Sequence, residues 1–127
     1  MAAFSFSREG FASVLHALGG RYALWGPKRL KGKGRFFGTD LVTCAPLESF
    51  DDLETGEKTS MSPKEIVFPP DETLFYFTGD RFSEPPLEDD RETIVFLRPC
   101  DINGFRRLDA MFLENGGAAD PYYRRRR

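Results

Sequence analysis

Residues 93–97, Thr-Ile-Val-Phe-Leu, form an unbroken apolar run of β-formers. Such a run reads as a strand covered on both faces. It passes through Arg98-Pro99-Cys100-Asp101 into a segment where Ile102, Phe105, Leu108 and Phe112 recur at helical spacing, with Met111 beside them. Asp101 is the expected cap of that helix, and Asn115-Gly116-Gly117 its stop. Asp120-Pro121 then has the pattern of a further cap and first helical position. That last segment has room for about two turns before Arg127 and carries four terminal arginines. A helix so short is marginal alone. The C-terminal end therefore reads as an incomplete α/β unit that continues beyond Arg127.

The elements before it follow from similar signals. Ser7 is placed to cap a first helix with Glu9 in its first turn. Phe11, Val14, Leu15 and Leu18 make its apolar stripe, and Gly19-Gly20 end it with a left-handed cap. Residues 22–25 read as a short strand, and 27–34, rich in Gly and base (Lys28, Arg29, Lys31, Lys33), as an exposed loop. Residues 41–45 read as a strand and 48–60 as an acidic surface connection. Ser62-Pro63-Lys64-Glu65 carries a capping-box signature for a helix that Pro69 and Pro70 keep short. Residues 73–78, with Leu74, Phe75, Tyr76 and Phe77 in a row, read as a strand buried on both faces or nearly so. Residues 79–90, with Pro85 and Pro86, read as a loop. The expected fold class is α+β: a single domain over residues 1–127, with a small mixed β-sheet and flanking helices.

The 127 residues are 40% apolar and 14% aromatic, with 13 phenylalanines. That composition suits a packed domain rather than a disordered chain. Charged residues reach 30%, yet the formal net charge is only −2, so no broad positive field exists for nucleic acid. No apolar run approaches the roughly 20 residues that span a bilayer, and residues 1–10 lack the pattern of a signal peptide. No membrane partner is expected, and the chain reads as cytoplasmic.

Two cysteines, Cys44 and Cys100, and one histidine, His16, are the soft-metal ligands available. They fall in no metal-binding spacing, so no metal residues are assigned. A nucleophilic triad would have to use His16, which no local motif supports; no catalytic residues are assigned. Cys100 stands between a strand and a helix N-terminus, where N–H groups and the helix dipole favour anions. It is either a contact to a cofactor or partner, or a small apolar residue filling the turn. Arg98 and Asp101 flank it. They either pair with each other and lock the turn, or Arg98 holds an anionic group. Cys100, Arg98 and Asp101 are thus the candidate cofactor-binding residues, lining a pocket or an interface. The basic segment 27–34 lacks the spacing of a phosphate-binding loop and reads as a solvated or partner-docking patch.

A longer pattern names a family. Met61-Ser62-Pro63-Lys64, Glu72-Thr73-Leu74-Phe75-Tyr76-Phe77, Arg98-Pro99-Cys100-Asp101-Ile102-Asn103, Leu108-Asp109 with Phe112-Leu113, and Tyr122-Tyr123 before basic residues come in this order. The string resembles the N-terminal region of the A subunit of anaerobic sulfite reductase. It is also similar to the related dicluster iron–sulfur beta subunits of cytoplasmic hydrogenases. The resemblance runs from about Gly38 to the C-terminal end, and more loosely through the first helix. It implies a part of a larger subunit that relays electrons through [4Fe-4S] clusters, from a flavin-bearing partner that oxidises a reduced nicotinamide to a sirohaem-bearing partner that reduces sulfite to sulfide. The Cys-rich runs that hold clusters in that family are absent here, and two distant cysteines do not supply a [4Fe-4S] ligand set. No cofactor is therefore expected within these residues, though clusters are expected in the full-length family protein. A docking domain without redox contact is the alternative from another class.

Overall fold

A computed structural model of the chain describes residues 5–85 and 91–127. The elements are α1 (Arg8–Gly19), β1 (Ala23–Leu30), β2 (Leu41–Pro46), β3 (Tyr76–Thr78), β4 (Arg81–Ser83), β5 (Thr93–Val95), α2 (Pro99–Phe112) and α3 (Pro121–Arg126), with short 3-10 helices at Phe50–Asp52 and Pro63–Ile66. The expected α+β class is found. Within it the chain gathers into two compact units. One holds the described residues up to Pro63 with Arg91–Arg98; the other holds the described residues from Lys64 to 85 with Pro99–Arg127.

In the first unit β1 is the centre of a three-stranded mixed sheet ordered β2-β1-β5. β1 and β2 are antiparallel, from Trp25 opposite Pro46 to Leu30 opposite Leu41. β5 lies parallel to β1, with Ala23 beside Thr93 and Trp25 beside Val95. Helix α1 begins where expected, its Gly10 N–H donating to Ser7 Oγ at 3.1 Å. It ends at Gly20 with φ −69°, a right-handed rather than the expected left-handed cap. The Arg21 and Tyr22 N–H groups both donate to the Leu18 carbonyl, so the chain leaves the helix without a positive φ. Leu15, Leu24 and Leu47 are the buried centre, with Phe11, Leu18, Tyr22, Phe50, Leu53, Ile94 and Phe96 against them. Phe11 meets Phe50 and Phe96 edge-on, at 5.6 and 6.3 Å between centroids. Val14, expected on the apolar stripe, is exposed.

Two expectations for this unit change. The basic segment is a strand as far as Leu30, because Pro27 fits β1 without breaking it. The Trp25 carbonyl accepts from Phe96 on the β5 side and the Leu24 carbonyl from Leu47 on the β2 side. By strand alternation Pro27 faces the β5 side, beyond the last paired β5 residue, where its own carbonyl accepts from Glu54 N–H at 2.7 Å. Its missing N–H thus costs no bond to β2. Residues 93–97, in turn, are not a strand covered on both faces. β5 is three residues long at the edge of the sheet, and Thr93 is exposed while Ile94 to Leu97 are half-buried.

In the second unit residues 73–75 are irregular, and β3 pairs only with β4 in a two-stranded hairpin turning at Asp80 after Gly79, whose φ is +59°. All six paired residues are exposed, so the expected two-sided burial of this segment is not found. Part of the expected loop over 79–90 is β4 instead; residues 86–90 of that reading, including Pro86, lie outside the described residues. Helix α2 starts at Pro99, three residues earlier than a cap at Asp101 requires, so Asp101 lies in its first turn. It buries Phe105, leaves Leu108 and Phe112 half-buried, and exposes Ile102 and Met111. Gly116, at φ +68°, turns the chain after it. Asp120 caps α3, accepting from Tyr123 N–H at 2.8 Å. That short helix is better anchored than its length suggests. Tyr123 is 2% exposed and stacks on Phe112 at 5.0 Å, while Phe68 lies 5.0 Å from the same Phe112 ring.

Candidate functional site

The sequence singled out Arg98, Cys100 and Asp101. Arg98 closes the first unit, half-buried, and its guanidinium donates to the backbone carbonyl of Glu57. That carbonyl belongs to the acidic connection of the same unit. Cys100 and Asp101 belong to the first turn of α2 in the second unit. Cys100 is exposed and has a free thiol. Asp101 is half-buried and places its charge near the positive end of the helix dipole.

The charged residues of β1 make a network that the sequence does not announce. Lys28 Nζ lies 3.1 Å from Asp52 Oδ2 and donates to the Pro46 carbonyl at 3.3 Å. Arg29 pairs with Glu54 at 2.9 Å and with Glu57, and lies 3.8 Å from Asp40. Side-chain hydrogen bonds to Glu57 and Glu54 raise the Arg29 pKa above its ordinary value. The Glu54 carboxyl is held below its ordinary range, first by the Gly56 N–H and then by Arg29. Asp52 is lowered first by the Glu48 N–H, against the opposing cost of burial, and then by Lys28. Strand alternation puts Lys28 and Arg29 on opposite sides of β1, and the folded-back acidic connection meets both.

His16 borders an open hollow of about 280 Å³ between α1 and the Phe50 turn. Arg8 crosses its rim, 2.7 Å from Asp51 and 5.1 Å over the Phe50 ring. No group of three or more His, Cys, Asp or Glu side chains suited to a metal ion occurs among the described residues. Cys44 and Cys100 fall in different units. The donor set of this chain does not fit a [4Fe-4S] cluster, which needs four thiolates, and no electron-transfer step is assigned to these residues.

In the second unit Asp109 accepts from the Tyr123 hydroxyl at 2.7 Å and from Arg127 Nε at 2.7 Å. Arg127 also lies over the Phe105 ring, 5.8 Å from its centroid. Arg126 pairs with Glu72, and Arg125 lies 3.6 Å from Glu84. Three of the four terminal arginines are thus held by carboxylates of their own unit. The exposed large apolar groups include Tyr76, Phe77 and Phe82 on the hairpin with Phe75 just before it, and Phe36 and Phe37 between β1 and β2. These exposed rings give each unit a surface able to recognise another.

The chain is similar to sulfhydrogenase 2 subunit beta of Pyrococcus furiosus. The two are 30% identical over 105 residues, 78% of this chain. The chain spans only 30% of that relative's length. No family profile matches the chain, and no solved structure matches it. The relative carries the name of the second resemblance read in the sequence, that to hydrogenase beta subunits.

Proposed function

We propose that this chain forms part of an iron–sulfur electron-transfer subunit in a multi-subunit redox complex, of the hydrogenase beta type. The observation that carries this reading is the 105-residue similarity to a sulfhydrogenase beta subunit, which agrees with the motif string from Met61 to Tyr123. Within such a subunit the residues described here serve as a docking and scaffolding part. They offer exposed aromatic surfaces and ordered ion pairs, while cluster ligands would have to come from elsewhere. Cys100, Arg98 and Asp101 remain the residues proposed to border a cofactor pocket or interface. A cytoplasmic location is part of the proposal; no helix among the described residues is long and apolar enough to cross a membrane.

A second reading is the A subunit of an anaerobic sulfite reductase, working between flavin-bearing and sirohaem-bearing partners. Met61-Ser62-Pro63 and Asp101-Ile102-Asn103 favour it. Anaerobic affinity purification of the tagged native protein tests both. Co-purifying hydrogenase subunits with hydrogen-dependent dye reduction are expected. Sirohaem and flavin subunits in the eluate, with sulfite-dependent oxidation of a reduced nicotinamide, would establish the second reading instead. Association with neither set would refute both.

A further inference from the structure

The β1–β2 connection, residues 31–40, is a built tip rather than a slack loop. Gly34 N–H donates to the Thr39 carbonyl at 2.8 Å, and Thr39 N–H to the Phe36 carbonyl at 3.1 Å. The Thr39 hydroxyl accepts from Phe36 N–H and donates to the Phe36 carbonyl. Asp40 accepts from Gly32 N–H at 2.9 Å. Gly32 and Gly38 take φ of +66° and +74°, a region that favours glycine, and a Cβ on Gly34 would run into Thr39.

This frame presents two adjacent rings to solvent. Phe36 is 73% exposed and Phe37 fully so. Lys31, Lys33 and Arg35 surround them, all exposed. The charge pattern changes along the hairpin. Lys28 and Arg29, on the strand, are matched by Asp52, Glu54 and Glu57. Lys31, Lys33 and Arg35, on the tip, have no ion pair among the described residues. The cations of the strand are neutralised within the chain and those of the tip are left for something else.

We propose that residues 31–38 are a docking finger for an acidic, apolar-pocketed face of another protein subunit. Phe37 enters the pocket with Phe36 against its lip, and Lys31, Lys33 and Arg35 pair with carboxylates on its rim. Aromatic anchors within a polar rim are the usual anatomy of a protein interface. The pre-ordered backbone reduces the entropy cost of binding, an advantage for a shaped pocket that a fluid lipid surface does not need. Three cations also fall short of the clusters of about four to eight that mark lipid-binding segments. The inference goes beyond the complex membership proposed above, because it names the surface and the chemistry of its partner.

The test places a photoreactive phenylalanine analogue at position 37 of the tagged protein in its native host. Irradiation should give one dominant protein adduct, with the attachment site in an apolar pocket beside Asp or Glu residues. Lys31→Glu, Lys33→Glu and Arg35→Glu together should lower its yield by at least about tenfold, with the circular dichroism spectrum unchanged. Three outcomes overturn the proposal. One is no more protein adduct than the same probe gives at exposed Lys58. Another is an adduct indifferent to the charge reversal. The third is flotation of the wild-type protein with phosphatidylserine–phosphatidylcholine vesicles that Phe36→Ser with Phe37→Ser abolishes, which assigns the tip to lipid. Redox subunits that co-purify without an adduct refute the finger alone. An acidic-face adduct to a non-redox protein supports the finger and refutes the redox-complex reading.

Discussion

Tyr123 donates its hydroxyl to the Asp109 carboxylate at 2.7 Å, which joins the last helix to the last turn of α2. Burial is the main cause of a Tyr123 pKa pushed up to about 12, and the hydrogen bond to Asp109 adds to it. A raised folded value favours the protonated phenol in the folded state. Its contribution to stability is therefore whole below the unfolded value of about 10 and is lost as pH rises through about 12. A tyrosinate absorbance titration should show a step near 12 that Tyr123→Phe removes. The same substitution should cost about 1 kcal/mol in denaturant unfolding, the usual worth of one hydrogen bond. Full retention of that late step in Tyr123→Phe would assign it to another residue.

Asp109 works in the opposite direction. The Arg127 guanidinium holds its carboxyl below the usual range, helped by Tyr123 and opposed by burial. A lowered folded value gives stability that is present above the unfolded value, about 3.9, and is lost as pH falls through the folded one. Stability measured below about pH 4 should therefore fall less steeply in Asp109→Asn than in wild type. An unchanged acid limb would show that the Arg127 pair forms in the unfolded chain too, or not at all.

The phase of α2 was legible in the sequence at one position and misleading at two others. Phe105 is 6% exposed, whereas Ile102 and Met111 on the same nominal stripe are 43% and 58% exposed. Phe105→Ala should cost about 3–5 kcal/mol, and Ile102→Ala should stay within about 0.5 kcal/mol. Comparable losses at both positions in urea unfolding would mean that Ile102 is covered in solution.

Gly26 supplies a stricter test of the first unit. A Cβ there would come within 3.0 Å of Leu47 Cδ1, 3.1 Å of Leu53 Cδ1 and 3.2 Å of Phe96 Cβ. All three belong to the apolar packing around Leu24. Gly26→Ala should destabilise by about 1–3 kcal/mol, as overpacking does. A neutral result would mean that Leu47 and Leu53 can move aside without loss.

Local signals marked what local chemistry decides. Ser7, Asp120 and the Gly116 turn do what their residue types suggest, because capping and positive φ depend on near neighbours. Long-range pairing was harder to see. Pro27 and its basic neighbours resemble a loop, and only the pairing partners on either side show that the proline faces the side past β5. Leu74 to Phe77 resemble a buried strand because β-propensity does not say whether anything covers it. The terminal arginines resemble loose charge because Glu72, Glu84 and Asp109 are distant in sequence. Among the candidate site residues, the sequence located Arg98 at the end of its apolar run. It had no signal for the Glu57 carbonyl that Arg98 binds, since any residue offers a carbonyl.

Cys100 and Cys44 differ in a way that chemistry can read. Cys100 lies in the first turn of α2 and is exposed; Cys44 lies within β2, opposite Pro27, and is half-buried. Alkylation needs a path to the thiol, and the exposed Cys100 offers an open one that the half-buried Cys44 does not. A small uncharged alkylating reagent should therefore label Cys100 well before Cys44 in the folded chain. In concentrated denaturant the two rates should converge, which separates protection from intrinsic reactivity. Within an assembled complex, labelling of Cys100 should slow while that of Cys44 stays as it was, if the face around the start of α2 is used for docking. Equal labelling of Cys100 alone and in the complex would leave that thiol outside every interface and remove it from the proposed site.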